Sequence, residues 1–383
     1  MRFLFFAPTD WNLYNFRLPL IHAVHAQGHE VTLVSPPGPY SHCFEEAGLP
    51  WTPFPLDRSG MNPICEAATL SRLTRLYQRA LPDVVHHFTY KCVLHGSVAA
   101  RFLGIKRIVN SITGLGHMFT DQGFRTRTIR PFVKALSRMA LPCTQVIFQN
   151  PEDFNTFVNK GLASRESSCL IRGSGVNVER FSPVQEPPGK PIIVLASRML
   201  WNKGIAEFVE AARRLRQQGV RGRFVLVGDP DPKNLSTVPT NVLEGWKRSG
   251  VVEWWGHRND MSEVFASSSL VCFPSSYGEG VPRVLIEAAA CGRAIVTTDV
   301  PGCREVVRNG ENGLLVPARD PGALVDAIGA LLEDPSLRAR MGARGREIAV
   351  REFSDERVIR ETLAVYRGLL GPPPFGVPAA ASL

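Results

Sequence analysis

No run of about 18 uninterrupted apolar residues, the length a spanning helix needs, occurs in the chain. The apolar start Met1-Arg2-Phe3-Leu4-Phe5-Phe6-Ala7-Pro8 is too short for a signal peptide, and Asp10 soon follows. It reads as a first buried strand. No Cys-x-x-Cys pair exists among the eight cysteines at 43, 65, 92, 143, 169, 272, 291 and 303. Scattered this way, they read as small core residues in a reducing cytosol. Zinc-finger spacing and lysine tracts are also missing, which argues against nucleic acid as a partner. No Gly-x-Gly-x-x-Gly follows the first strand of either half, which argues against a dinucleotide-dependent dehydrogenase.

What is present is a soluble, globular composition, 44% hydrophobic and 21% charged, in 383 residues. That length predicts two domains. Lysine and arginine total 44 against 35 acidic residues, a formal charge of +9. An excess of this size suggests an anionic partner, either a phosphate-bearing substrate or an anionic membrane surface.

Short apolar runs alternate with helical periods. Strands are expected at Phe3–Ala7, Val31–Ser35, Val84–His86, Arg107–Asn110 and Gln145–Phe148, with a helix over Asn15–Gln27. Four prolines between Pro183 and Pro191 form a stiff break, after which the pattern restarts. The second half predicts strands at Ile192–Ala196, Phe224–Val227, Val251–Trp255, Leu270–Phe273 and Ala294–Thr297, and a helix over Lys203–Gln217. This is an α/β chain of two Rossmann-like, doubly wound parallel-sheet domains facing each other across a cleft. The expected divisions are residues 1–183, a linker at 184–191, a second domain at 192–352, a C-terminal helix at 353–370 returning to the first domain, and a disordered tail at 371–383.

The chemistry concentrates in Gly278-Glu279-Gly280-Val281-Pro282-Arg283-Val284-Leu285-Ile286-Glu287, where seven residues separate two glutamates across a glycine-rich turn and a helix start. Upstream, Ser197-Arg198-Met199-Leu200-Trp201-Asn202-Lys203-Gly204 follows a buried-looking strand. Free backbone N–H groups at a helix start, with Arg198 and Lys203 beside them, would hold a diphosphate. The bland reading is a solvated loop with a capping Asn. The carboxylates would accept hydrogen bonds from sugar and ribose hydroxyls. Glu287 lies in an apolar stretch and needs a partner, for which ribose hydroxyls or an arginine would serve. A sugar nucleotide satisfies all of these groups.

The run Ser276-Tyr277-Gly278-Glu279-Gly280 … Glu287-Ala288 … Gly292-Arg293-Ala294-Ile295-Val296 resembles the donor-site signature of glycosyltransferase family 4, retaining enzymes of the GT-B fold. Ser197-Arg198 … Lys203-Gly204 resembles that family's diphosphate-binding pair, and the likeness extends over nearly the whole chain. It implies that Glu279 meets the donor sugar and Glu287 the ribose, with the Gly280, Val281 and Pro282 backbone near sugar and phosphate. It also implies acceptor binding by the first domain and nucleotide-sugar binding by the second.

Tyr14-Asn15-Phe16-Arg17-Leu18-Pro19-Leu20, Val85-His86-His87-Phe88-Thr89-Tyr90-Lys91 and Gly114-Leu115-Gly116-His117 are similar to a bacterial subgroup. Its members extend sugars carried on undecaprenyl diphosphate at the inner membrane face. The likeness implies substrate-binding roles for Arg17, Lys91, Gly114 and His117. It also implies a UDP-sugar donor, a lipid-linked saccharide acceptor and peripheral membrane attachment. Where the family carries a Gly-Gly loop, this chain has Thr9-Asp10-Trp11-Asn12. Where many members place a donor-sugar histidine, it has Asn110-Ser111-Ile112-Thr113-Gly114, so His86, His87 and His117 are the candidates for that role. No Asp-x-Asp is read in a donor site, and neither metal nor other cofactor is expected.

Arg125, Arg127, Arg130, Lys134 and Arg138 are interleaved with Ile129, Phe132, Val133, Leu136 and Met139, a basic amphipathic pattern suited to a membrane interface. Arg72, Arg75 and Arg79 alternate with Leu73, Leu76 and Tyr77 in a second such segment. Solvated helix faces are the bland reading of both. Competing functions are a soluble-acceptor transferase or sugar-nucleotide epimerase of the same fold, or a non-catalytic sugar-nucleotide sensor.

Overall fold

A computed structural model describes residues 1–57, 62–114, 134–276 and 278–370. Seven parallel strands form the first sheet: β1 (Arg2–Phe6), β2 (Glu30–Ser35), β3 (Trp51–Pro53), β4 (Val84–Phe88), β5 (Ile108–Ile112), β6 (Gln145–Phe148) and β7 (Ser168–Leu170). Their order is β3-β2-β1-β4-β5-β6-β7. Six more form the second: β8 (Ile192–Ala196), β9 (Arg223–Val227), β10 (Glu253–Trp254), β11 (Leu270–Phe273), β12 (Ala294–Thr298) and β13 (Gly313–Val316), in the order β10-β9-β8-β11-β12-β13. Near-continuous apolar strands such as Ile192–Ala196 suit sheets covered on both faces. In each sheet the winding reverses once, between β1 and β4 and between β8 and β11. Ligands of such sheets bind outside the strand ends at that reversal.

The helix expected from Asn15 begins five residues earlier and spans Asp10–Ala26. Thr9 caps it, its hydroxyl accepting the Asn12 N–H at 3.0 Å, and Asp10 in the first turn complements the positive end of the helix. The stretch standing in place of a Gly-Gly loop is therefore a helix cap and first turn. Asp10 is buried and accepts the Tyr40 N–H at 2.7 Å.

Lys203 also lies elsewhere than expected. It ends a short 3-10 turn, Trp201–Lys203, and the α-helix begins after it at Ile205–Gln217. Gly204 separates the two with φ +77, and a methyl group on it would collide with the Pro274 carbonyl. Only glycine meets both demands without strain. The close approach is fixed by the Ser276 N–H donating to the Asn202 carbonyl at 3.0 Å. The ends of β8 and β11 are thereby locked side by side.

The last helix, Asp355–Leu370, leaves the second sheet and packs on the first. Its Val358 and Tyr366 are buried with Phe3, Phe5, Leu20 and Val24. Gly204→Ala is expected to cost about 2–4 kcal/mol, from left-handed backbone strain together with overpacking. Urea unfolding followed by circular dichroism checks this; an unchanged midpoint would show that the β8 and β11 ends separate freely.

Candidate functional site

Lys203 and Glu279 meet at the reversal point of the second sheet. The Lys203 Nζ donates to Glu279 Oε1, and the Ser275 hydroxyl donates to the same oxygen at 3.0 Å. Both charged side chains are largely buried, at 12% and 14% exposure. Their mutual neutralisation makes that burial tolerable. The ammonium also lies 5.5 Å from the centre of the Phe273 ring.

Arg198, at the end of β8, is half exposed and pairs with Asp231 at 2.7 Å. Asp231 belongs to Asp229-Pro230-Asp231, an Asp-x-Asp triplet that the sequence reading did not place near the site. The Asp231 N–H donates to the Thr237 hydroxyl at 2.9 Å, and the Asp229 carbonyl accepts the Met199 N–H at 2.9 Å. The triplet thus supports the segment that carries Arg198.

Glu287 lies one turn after Arg283 on the helix Arg283–Ala290, and the pair is 2.8 Å apart. Of the two partners open to Glu287, the arginine holds it here. Burial pushes the carboxyl above its usual range, and Arg283 opposes that shift. Arg283 also donates to the Asn15 carbonyl and sits 5.2 Å over the Phe16 ring, so it bridges to the first domain.

Gly280 and Val281 lie against the first domain. Gly114, with φ +122, approaches so closely that a methyl on it would be 2.8 Å from Gly280 N. The Val281 N–H donates to Gln149 Oε1 at 3.2 Å. Pro282 precedes the first turn of the helix bearing Glu287. Gln149 was not singled out from sequence, although its place directly after β6 was the available signal.

Arg17 is 6% exposed, with its guanidinium 4.4 Å over the Phe88 ring. Its Nε is buried and finds no hydrogen-bond partner among the described residues. Burial, with Arg283 adding repulsion, lowers its pKa to about 10. Beside it is a cavity of about 20 Å³ lined by His86, Ser111, Gln149 and Asp355, enough for one water.

Lys91 is not gathered with these groups. It pairs with Glu66 at 2.8 Å, and Glu66 also holds His95 at 2.7 Å.

His86 and His87 are corrected as donor-sugar candidates. His86 bonds Tyr366 at 2.6 Å and Ser111 at 2.7 Å; His87 bonds Asn110 at 2.8 Å and Tyr77 at 2.9 Å. With both ring nitrogens engaged inside the domain, neither imidazole can meet a sugar. Burial lowers His87 to about 4, which keeps it neutral. His117 lies outside the described residues, as do Arg125, Arg127 and Arg130. Lys134 and Arg138 lie on a helix at 134–140. The second basic segment forms part of the helix Pro63–Ala80, whose Leu73 and Tyr77 are buried in the domain core. Leu73 and Tyr77 are therefore unavailable to lipid, while Arg72, Arg75 and Arg79 are exposed.

Comparison with known proteins adds family and fold. Residues 190–334 match the family model "Glycosyl transferases group 1", and residues 2–150 match "Glycosyl transferase 4-like". The N,N'-diacetylbacillosaminyl-diphospho-undecaprenol alpha-1,3-N-acetylgalactosaminyltransferase of Campylobacter jejuni is 29% identical over 380 residues, covering 96% of this chain and 98% of that one. A glycosyltransferase structure from Rickettsia africae has a TM-score of 0.77 at 17% identity, over 96% of this chain and 98% of that one. Anabaena HepE in complex with UDP has a TM-score of 0.75 at 18% identity, over 96% and 100%. At such identities the structural likeness is one of fold, the two-sheet GT-B arrangement.

Because Arg17 is a buried cation without a carboxylate partner among the described residues, Arg17→Met is expected to leave the fold as stable or more stable. Thermal unfolding checks this. A clear loss of stability would mean that its contact with Phe88, on the order of 2 kcal/mol for a desolvated cation–π pair, outweighs its desolvation.

Proposed function

We propose, from the premise that the chain belongs to the group 1 and 4-like glycosyltransferases, that it moves a hexose or N-acetylhexosamine from a UDP-sugar to a polyprenyl-diphosphate-linked saccharide with retention at the anomeric carbon. The observation that carries this reading is the Lys203–Glu279–Ser275 group at the strand reversal, with Glu287 on the helix that follows. The full-length likeness to a transferase named for an undecaprenol-linked sugar supports the acceptor class. The division at 184–191 would separate an acceptor domain from a donor domain.

The chain's own groups suggest how the reaction runs. When the donor diphosphate enters, Lys203 exchanges Glu279 for phosphate oxygens. Arg198 turns from Asp231 to the same anion. The freed Glu279 carboxylate accepts hydrogen bonds from sugar hydroxyls, and Glu287 exchanges Arg283 for the ribose diol. As the anomeric bond breaks with oxocarbenium character, negative charge grows on the departing diphosphate, where both cations stabilise it. The acceptor hydroxyl attacks from the same face and passes its proton to the leaving phosphate. Domain closure excludes water meanwhile.

Arg198→Ala and Lys203→Ala should each lower turnover by about 100-fold or more, the scale of one electrostatic group at a developing anion. Glu287→Gln should weaken UDP binding in calorimetry, whereas Glu279→Gln should reduce turnover and spare UDP affinity. Near-normal rates in both cation variants, with the fold intact, would remove the phosphate assignment. Normal UDP binding by Glu287→Gln would remove the ribose assignment.

Among the described residues no helix is long and apolar enough to cross a membrane. Peripheral attachment to an anionic cytoplasmic leaflet would rest on the basic 125–138 segment, at about 1 kcal/mol for each cation near the surface. Replacing Arg125, Arg127, Arg130 and Lys134 by Gln should lower binding to anionic liposomes. Transfer to a long-chain acceptor should slow more than transfer to a short soluble analogue. Equal slowing on both acceptors, or unchanged liposome binding, would count against attachment.

A further inference from the structure

Residue 279 is held from two sides. Its carboxylate is bound within the second domain by Lys203 and Ser275. Its backbone is bound by the first. Asn150 Nδ2 donates to the Glu279 carbonyl at 3.4 Å and to the Gly280 carbonyl at 3.3 Å. One residue earlier, Gln149 Oε1 accepts the Val281 N–H. Both amides follow directly on β6, and both are buried, at 6% and 1% exposure. A methyl group on Gly280 would collide with Gln149 Oε1 and the Thr113 carbonyl, and one on Gly302 would collide with the Gly280 carbonyl. The loop therefore lies clamped between strand ends of the first sheet and a helix start of the second.

Asn150 divides its amide between two tasks. Its Oδ1 caps the helix Pro151–Asn159 by accepting the Asp153 N–H at 2.8 Å, which leaves the NH₂ group for Asp153 Oδ2 at 2.9 Å and for the loop carbonyls. A serine could serve as the cap but could not span the interface.

We propose that Gln149 and Asn150 are positioning residues that convert approach of the first domain into placement of the Glu279 carboxylate. The inference rests on the reading of Glu279 as the donor-sugar group. Once Lys203 turns to phosphate, the backbone clamp is what keeps Glu279 aimed at the sugar. An open cleft releases residues 279–281, so the glutamate is correctly set only when acceptor and donor domains are together. Coupling of this kind would disfavour donor breakdown before an acceptor is in place.

The test uses the full chain with three variants. Gln149→Met keeps length and removes the acceptor oxygen, Gln149→Glu restores an acceptor, and Asn150→Ser keeps the helix cap and removes the clamp. Hydrogen exchange of the unliganded protein reads the Val281 amide, calorimetry reads UDP affinity, and turnover is measured with saturating UDP-sugar. Exchange at Val281 should rise about tenfold in Gln149→Met, the upper range for losing one hydrogen bond, and largely recover in Gln149→Glu. Turnover should fall by a similar factor in Gln149→Met and Asn150→Ser, with UDP affinity held within about twofold, as expected when only transition-state placement is lost. Unchanged exchange in Gln149→Met would overturn the clamp. Full turnover despite faster exchange, or UDP affinity falling in step with turnover, would overturn the positioning role. Failure of the wild-type chain to bind UDP would instead defeat the donor reading, and the exchange result would still decide the clamp.

Discussion

The contact between an ammonium and a carboxylate at the reversal of the second sheet is the constraint around which the rest is arranged. Two opposite charges that are nearly nine-tenths buried hold only if the chain delivers them to the same point. The delivery is done by backbone. A glycine in a left-handed conformation lets the turn after β8 touch the strand end after β11, and an N–H to carbonyl bond fixes the contact. Remove the close approach and the Lys203–Glu279 pairing is lost. The pairing also makes this part of the site self-contained, since each charge meets its opposite within one domain.

Legibility in the sequence followed the range of the interaction. Strand positions came from unbroken apolar runs, and the domain break came from clustered prolines; both signals are local. The two glutamates, Arg198 and Lys203 stood out because their motifs are contiguous, and of these the structure joins Lys203 to Glu279. What escaped depended on a partner far along the chain or, at a helix start, on a polar cap. His86 looked like a free imidazole until Tyr366, 280 residues away, was found on its ring. Gln149 carried no mark, because its partner is a backbone N–H of the other domain. Thr9 and Asp10 begin a helix that apolar spacing alone started five residues late, since caps are polar and carry no hydrophobic period.

The same contrast explains the arginines. A basic residue between apolar ones reads as a surface cation with a lipid-facing stripe beside it. On the helix Pro63–Ala80 that stripe belongs to the domain core. Arg17, read from its motif as a substrate contact, lies within the first domain against Phe88, with repulsion from Arg283 of the second domain acting on it. At the seam Arg283 carries its own counter-charge in Glu287 and donates to the Asn15 carbonyl of the first domain. The Arg283 bond and the loop contacts at Gln149 and Asn150 together join the two domains there.

The return of the helix Asp355–Leu370 to the first sheet has a consequence for biosynthesis. On the ribosome the first seven strands emerge with one flank of their core uncovered, because Val358 and Tyr366 are made only after the second sheet. The buried His86 has Ser111 early but waits for Tyr366 until the whole second domain has been translated. The nascent first domain must persist through that interval as an incomplete fold with apolar surface exposed, a state prone to aggregation and to capture by chaperones. Maturation of the first domain is thus tied to completion of the second, and a chain interrupted after its second sheet would leave neither finished.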